Sequence, residues 1–138
     1  MRSVMRDIFC KVTAMKDDTA SSKEKGDKGE SLAASFLEEI GYRIITKQWK
    51  FMRYELDIVA ENKTHIVFVE VKTRYSNYYG EPWEAVNKAK RQKVCVSADA
   101  YIKQFNCEKE PRFDIVSIIH HNGKTEILHI EEAFYPMV

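Results

Sequence analysis

The chain has 138 residues, which is room for one domain with a single core, since a domain near this size buries roughly 70% of its unfolded surface. With 44% hydrophobic and 31% charged residues, 5 Gly and 3 Pro, it reads as an ordinary globular protein rather than a disordered or fibrous one. No stretch nears the ~20 apolar residues of a membrane span, so no membrane association and a cytoplasmic location are expected, and the 22 Lys and Arg against 21 Asp and Glu, a net +1, do not by themselves advertise a nucleic-acid partner.

Residues 1–25 are expected to be a flexible leader outside a single domain of residues 26–138, because Lys16 to Lys25 is a polar run. Ile8, Val12 and Met15 support at most a short helix over Arg6 to Met15. Leu32, Ala33, Phe36, Leu37 and Ile40 form an amphipathic stripe that predicts a helix from Lys28 to Ile40, with Gly41 as its C-terminal cap. Tyr42 to Trp49, Glu55 to Ala60 and His65 to Lys72 read as strands, the last two joined as a hairpin through Glu61 to Thr64. After a loop around Tyr78 to Pro82, apolar positions recur at helical spacing from Val86 to Phe105. Arg112 to His120 and Lys124 to Ile130 are strands about an Asn122-Gly123 tight turn, so the expected order is α-β-β-β-α-β-β.

A four-residue hairpin turn sets Glu55 directly opposite Glu70, with Asp57 and Lys72 diagonal to them on the same face. The opposite face, Leu56, Ile58, Ala60, Val67, Val69 and Val71, is wholly apolar and can only be core. Facing carboxylates repel, so a compensating cation is required: either Lys and Arg neighbours or a divalent metal held by oxygen ligands. Glu30 falls at the edge of the first helix's apolar stripe, either as a fourth carboxylate for this cluster or as an N-terminal charge favoured by the helix dipole. Taken singly, each acid is an ordinary exposed sheet charge; the Glu-x-Asp and Glu-x-Lys pairs together are what metal-assisted hydrolysis needs.

Basic residues cluster at Arg43, Lys47, Lys50 and Arg53, and again at Lys72, Arg74, Lys88, Lys90, Arg91 and Lys93. Aromatics from Trp49 to Trp83 are interleaved with them, the pairing of cations and stacking rings that holds nucleic acids. Near-neutral net charge thus sums a basic surface with an acidic pocket and an acidic C-terminal segment from Glu108 to Val138. Cys10, Cys95 and Cys107 make no CxxC and read as free thiols, and the four histidines have no metal-ligand spacing. Asp114 reads as a strand-entry residue with a structural partner.

Gly26-x-x-Gly29-Glu30, Glu55-Leu56-Asp57, Phe68-Val69-Glu70-Val71-Lys72-Thr73-Arg74, Gly80-x-Pro82-x-Glu84-Ala85-Val86-x-x-x-Lys90 and Arg112-Phe113-Asp114 together resemble the YraN family of bacterial proteins, over about Gly26 to Ile119. That family is similar to the PD-(D/E)XK nucleases related to Holliday junction resolvases. The resemblance implies an α/β, restriction-endonuclease-like αβββαβ core: a mixed central sheet flanked by helices, here with an extra C-terminal strand. It further implies a metal-dependent nuclease with Glu30, Asp57, Glu70 and Lys72 as catalytic residues and Asp57, Glu70 and Glu55 around Mg²⁺ or Mn²⁺. Arg53, Arg74, Lys88, Lys90 and Arg91 are the expected contacts to nucleic acid, DNA in first place, and a homodimer is expected by analogy with the resolvases. Arg53 and Tyr54 stand where relatives typically carry a Gly pair. Two other functions fit the same residues: a nucleic-acid-binding module without turnover, and a scaffold using the aromatic loop from Tyr75 to Trp83 for a protein partner.

Overall fold

Each face of the central sheet carries β-branched and aromatic residues, and among the described residues each is covered by one helix. The structure, a computed structural model, describes residues 8–14, 22–75 and 87–136, with side chains from Asp27 onward. The elements are β1 (Ile8–Ala14), α1 (Ser22–Glu39), β2 (Arg43–Phe51), β3 (Tyr54–Glu61), β4 (His65–Tyr75), α2 (Lys88–Phe105), β5 (Glu110–His121) and β6 (Lys124–Phe134). They form one six-stranded sheet in the order β1-β6-β5-β4-β3-β2. Only β4 and β5 run parallel. A parallel pair needs a crossover, and α2 lies in it. This is the mixed αβββαβ core with an added C-terminal strand that the sequence leads one to expect.

Helix α1 buries Ala33, Phe36 and Leu37 against Ile58, Ala60, Val67, Val69, Val116 and Ile118. On the other face α2 buries Val94, Ala98 and Tyr101 against Val59, Phe68, Phe113, Ile115 and Ile130. Each such side chain contributes about 1.5–3 kcal/mol when fully buried, so the two clusters hold the sheet between the helices. Gly41, at φ +101°, ends α1: its N–H donates to Glu38 O (3.1 Å) and that of Tyr42 donates to Leu37 O (3.0 Å), a Schellman cap. The Asn122-Gly123 turn between β5 and β6 has both residues at positive φ, as a tight hairpin demands. Among the described residues no helix is long and apolar enough to cross a membrane.

The expectations for the N-terminal segment need correction. Ile8–Ala14 is neither a helix nor outside the fold: it pairs antiparallel with β6, from Ile8↔Ile130 to Ala14↔Lys124. The spacing of Ile8 and Val12 suits either period, and a free sheet edge far along the chain decides between them. Helix α1 starts at Ser22, six residues before the apolar stripe begins to predict it. Val86 and most of the aromatic loop, Tyr78 to Trp83, lie outside the described residues.

The β3–β4 register also differs, by two residues. Ladder pairs run from Ile58↔Val69 to Glu61↔Ile66. Asn62 is the cause: its N–H donates to His65 O (3.1 Å), and its side-chain oxygen accepts from the backbone N–H of Thr64 (3.0 Å) and His65 (2.8 Å). This Asx turn shortens the loop to Lys63 and Thr64. Continuing the register puts Asp57, not Glu55, across from Glu70.

Candidate active site

The ladder between β3 and β4 stops at Ile58↔Val69, and the next residue of β3 takes over with its side chain: the Asp57 carboxylate accepts the Val71 N–H at 2.9 Å. On its other edge, β3 pairing with β2 passes from Lys47↔Ile58 to Trp49↔Leu56, and Gln48 between them has φ +52°. The β2–β3 register is unbroken across Gln48, yet alternation of faces fails along β3. Leu56 packs with Val59 in the cluster under α2, whereas Ile58 and Ala60 pack under α1. The expectation that Leu56, Ile58 and Ala60 share one apolar face is therefore corrected at Leu56. The irregularity brings Glu55 and Asp57 to the side of the sheet reached by Glu30.

Glu30 arrives because its neighbour is glycine. Gly29 is buried, and a Cβ there would lie 2.3 Å from Thr73 Oγ1 on β4, so any larger residue would force Thr73 or α1 to shift. Ligand oxygens of Glu30, Glu55 and Asp57 lie within 4.8 Å of one another, so Glu30 takes the place in this group expected of Glu70, which pairs with Asp57 instead. The Gln48 amide donates to Glu30 Oε2 (2.9 Å) and Asp27 Oδ1 (3.2 Å), which steers Glu30 from the neighbouring strand. Sequence reasoning missed Gln48. Nothing in the sequence marks a glutamine for left-handed backbone, so no local signal was there to find.

Glu70 is 3% exposed and sits beside Asp57, with which it shares a hydrogen bond. Burial, and then the Asp57 charge, push its pKa up to about 8, against the pull of Lys90 and Lys72. Asp57 is raised as well, first by burial, while the Val71 N–H and Lys90 favour its charged form. The arrangement leaves the proton on Glu70, donating to Asp57. Burial lifts Glu30 to about 7, with Asp57, Glu55 and Asp27 adding to the rise and the Gln48 hydrogen bond opposing it. Lys90 Nζ lies 3.4 Å from Glu70 Oε1, while Lys72, half-buried on β4, favours the charged forms of Asp57 and Glu70. The group carries more acids than cations to balance them. Three carboxylates with oxygen-only donors are a donor set that fits a hard divalent cation such as Mg²⁺ or Mn²⁺.

Beside the cluster opens a groove of about 410 Å³ lined by Arg53, Tyr54, Glu55, Lys90 and Lys93. Glu55 belongs to both. Of the expected nucleic-acid contacts, Arg53 and Lys90 line the groove and Lys93 joins them. Lys88 is exposed in the first turn of α2, Arg74 is half-buried near the end of β4, and the Arg91 guanidinium lies 5.8 Å over the Phe134 ring. Arg43, counted among the bases before the hairpin, is bound to Glu61.

Asp114 belongs to a separate polar knot. It accepts two hydrogen bonds from Arg112 (2.9 and 2.8 Å), pairs with His129 Nε2 (2.7 Å) and accepts the Glu132 N–H (3.2 Å). Arg112 also donates to the Tyr42 hydroxyl. Asp114, His129, Arg112 and Tyr42 are all buried, so this knot ties β5 and β6 to the chain leaving α1 rather than facing a substrate.

The model of the uncharacterised protein family UPF0102 matches residues 29–118, which span Gly29, every acid of the cluster and the three bases of the groove. A UPF0102 protein of Bacteroides thetaiotaomicron is 44% identical over 117 residues, covering 85% of this chain and 97% of that protein. One from Clostridium acetobutylicum is 40% identical over 116 residues, 82% of this chain and 95% of its own length. The chain belongs to the uncharacterised protein family UPF0102, the YraN family.

Proposed function

We propose that the chain is a divalent-metal-dependent nuclease that hydrolyses phosphodiester bonds in nucleic acid, DNA before RNA, with branched or junction DNA the leading substrate. The observation that carries this reading is Glu55, which belongs both to the carboxylate cluster with Glu30 and Asp57 and to the groove lined by Arg53, Lys90 and Lys93. A phosphate backbone drawn to the three bases would thus arrive beside the acids.

Glu30, Glu55 and Asp57 would hold the cation, which supplies a Lewis acid for a phosphoryl oxygen and an acidified water. Asp57 is held for this by the Val71 N–H at 2.9 Å and by Glu70. Lys72, whose charge acts on both of those acids, is the group that orients the attacking water and offsets the negative charge developing on the phosphate. Lys90 lies 3.4 Å from Glu70, favours the charged form of Asp57 and reaches the groove, linking substrate binding to the acid pair. Two copies related by a two-fold axis would suit a branched substrate with two equivalent strands.

The test is cleavage of a panel of junction, flap, single strand, duplex and RNA with Mg²⁺ and with Mn²⁺, the wild type beside Asp57→Ala, Glu70→Ala and Lys72→Ala. Metal-dependent products lost in all three variants are the expected result. Salt-sensitive binding without products under either metal would replace this reading by a binding module, and undiminished cleavage in all three variants would end the site assignment.

A further inference from the structure

We propose that the tip of the β2–β3 hairpin is an apolar wedge that enters the base stack about three base steps from the bond to be cut, so that the preferred substrate is a nucleic acid with an easily unstacked step. This rests on the nuclease reading above and extends it to the part of the molecule that meets the bases. The strands meet at Phe51↔Tyr54, which leaves a two-residue tip of Met52 and Arg53. Met52 is 84% exposed, while the next most exposed large apolar side chain among the described residues, Tyr135, is at 56%. Its backbone has φ +55°, a conformation that Gly, Asn and Asp adopt far more readily than methionine. A solvent-facing methionine at that position adds nothing to folding that glycine would not supply better. A local rule broken at an exposed point, beside a candidate site, points to a role outside the fold.

The surroundings of the tip say what it would meet. Arg53, next to Met52, lies 5.8 Å over the Tyr54 ring and lines the groove with Glu55, Lys90 and Lys93, so the tip adjoins a groove whose three cations suit a phosphate backbone. The hairpin is braced: Trp49 stacks on Phe51 (6.3 Å between centroids, 3° between planes) and meets Tyr101 edge-on at 5.1 Å. Met52 is three residues from Glu55, about 10 Å along a strand at ~3.3 Å per residue. That is roughly three base steps of ~3.4 Å from the carboxylate cluster. An unbranched, polarizable side chain adapts to whichever bases it parts, so the wedge would select for deformability rather than for base identity.

The experiment uses the full chain carrying Asp57→Asn, which keeps an acceptor for the Val71 N–H and blocks turnover, with four-way junction and nicked duplexes bearing 2-aminopurine at successive positions. The expected result is salt-sensitive binding with at least a twofold rise in fluorescence at one step. That rise is lost when Met52→Gly is added, kept with Met52→Leu, and accompanied by less than about a fivefold change in affinity. Met52→Gly suits the left-handed backbone, so loss of signal does not report misfolding. Binding without a rise, or a rise that survives Met52→Gly, overturns the wedge and leaves the nuclease reading standing. Absence of any salt-sensitive binding overturns both. A change in the mass of the free protein with Met52→Gly, measured by sedimentation, overturns the wedge in favour of contact between copies.

Discussion

Replacing Glu70 by glutamine keeps the shape and hydrogen-bonding capacity of a side chain that is 3% exposed while removing its charge. In the metal-free protein its pKa stands at about 8 against the ordinary 4.5, chiefly because burial disfavours the carboxylate. Between those values the folded chain holds a proton that the unfolded chain has released. The stability associated with Glu70 is therefore complete below about pH 4.5 and is lost as the pH rises through about 8. Each unit is worth about 1.4 kcal/mol, which sets a ceiling of roughly 5 kcal/mol. Water entry and side-chain relaxation around the forming charge reduce that to an expected 2–3 kcal/mol, on the order of 10 °C in Tm for a domain of this size. Urea or thermal unfolding in EDTA at pH 5, 6, 7 and 8 measures it. Wild type and Glu70→Gln should nearly coincide at pH 5 and diverge toward pH 8, with the variant the more stable. A gap that does not change with pH, or wild-type stability that climbs from pH 5 to 8, would refute the reasoning.

Gly29→Ala should cost about 1–3 kcal/mol, because the new methyl meets Thr73 Oγ1, and a Gly29→Ala/Thr73→Ala double variant should recover most of it in a denaturant double-mutant cycle. Mg²⁺ at a hundred times its dissociation constant should stabilise the wild type by about 2.7 kcal/mol, an upshift in thermal unfolding that Asp57→Asn and Glu55→Gln abolish. Asp114→Asn should cost about 3–5 kcal/mol in urea by leaving Arg112 buried without its partner. Although burial alone would raise the Asp114 pKa, His129 and Arg112 hold it below the usual 3.8, so its stabilisation is present above that value and lost as the pH falls further. Acid unfolding of Asp114→Asn followed by circular dichroism should accordingly show a shallower loss below pH 4 than the wild type.

Much of this was legible in local pattern. The stripe from Leu32 to Ile40 and the alternating runs around Glu55 and Glu70 carry their own periodicity, and Gly41 and Asn122-Gly123 are placed by backbone conformations that few residues tolerate. An assumed hairpin register, the edge of the first helix's stripe and the family resemblance brought Glu30, Glu55, Asp57 and Glu70 together as candidates, even though that register was two residues off. Local pattern failed where partners distant in the chain decide. Ile8–Ala14 became a strand because β6 offered an open edge, and the β3–β4 register moved by two residues because the Asn62 side chain closed a tighter turn. Only the tertiary structure decided which acids meet: alternation breaks between Leu56 and Ile58, and Asp57 between them takes the Val71 N–H and comes within ligand distance of Glu30 and Glu55. It decided too that the acidic pocket and the basic surface expected from the sequence meet at Glu55, since a whole-chain sum carries no information about which charges become neighbours.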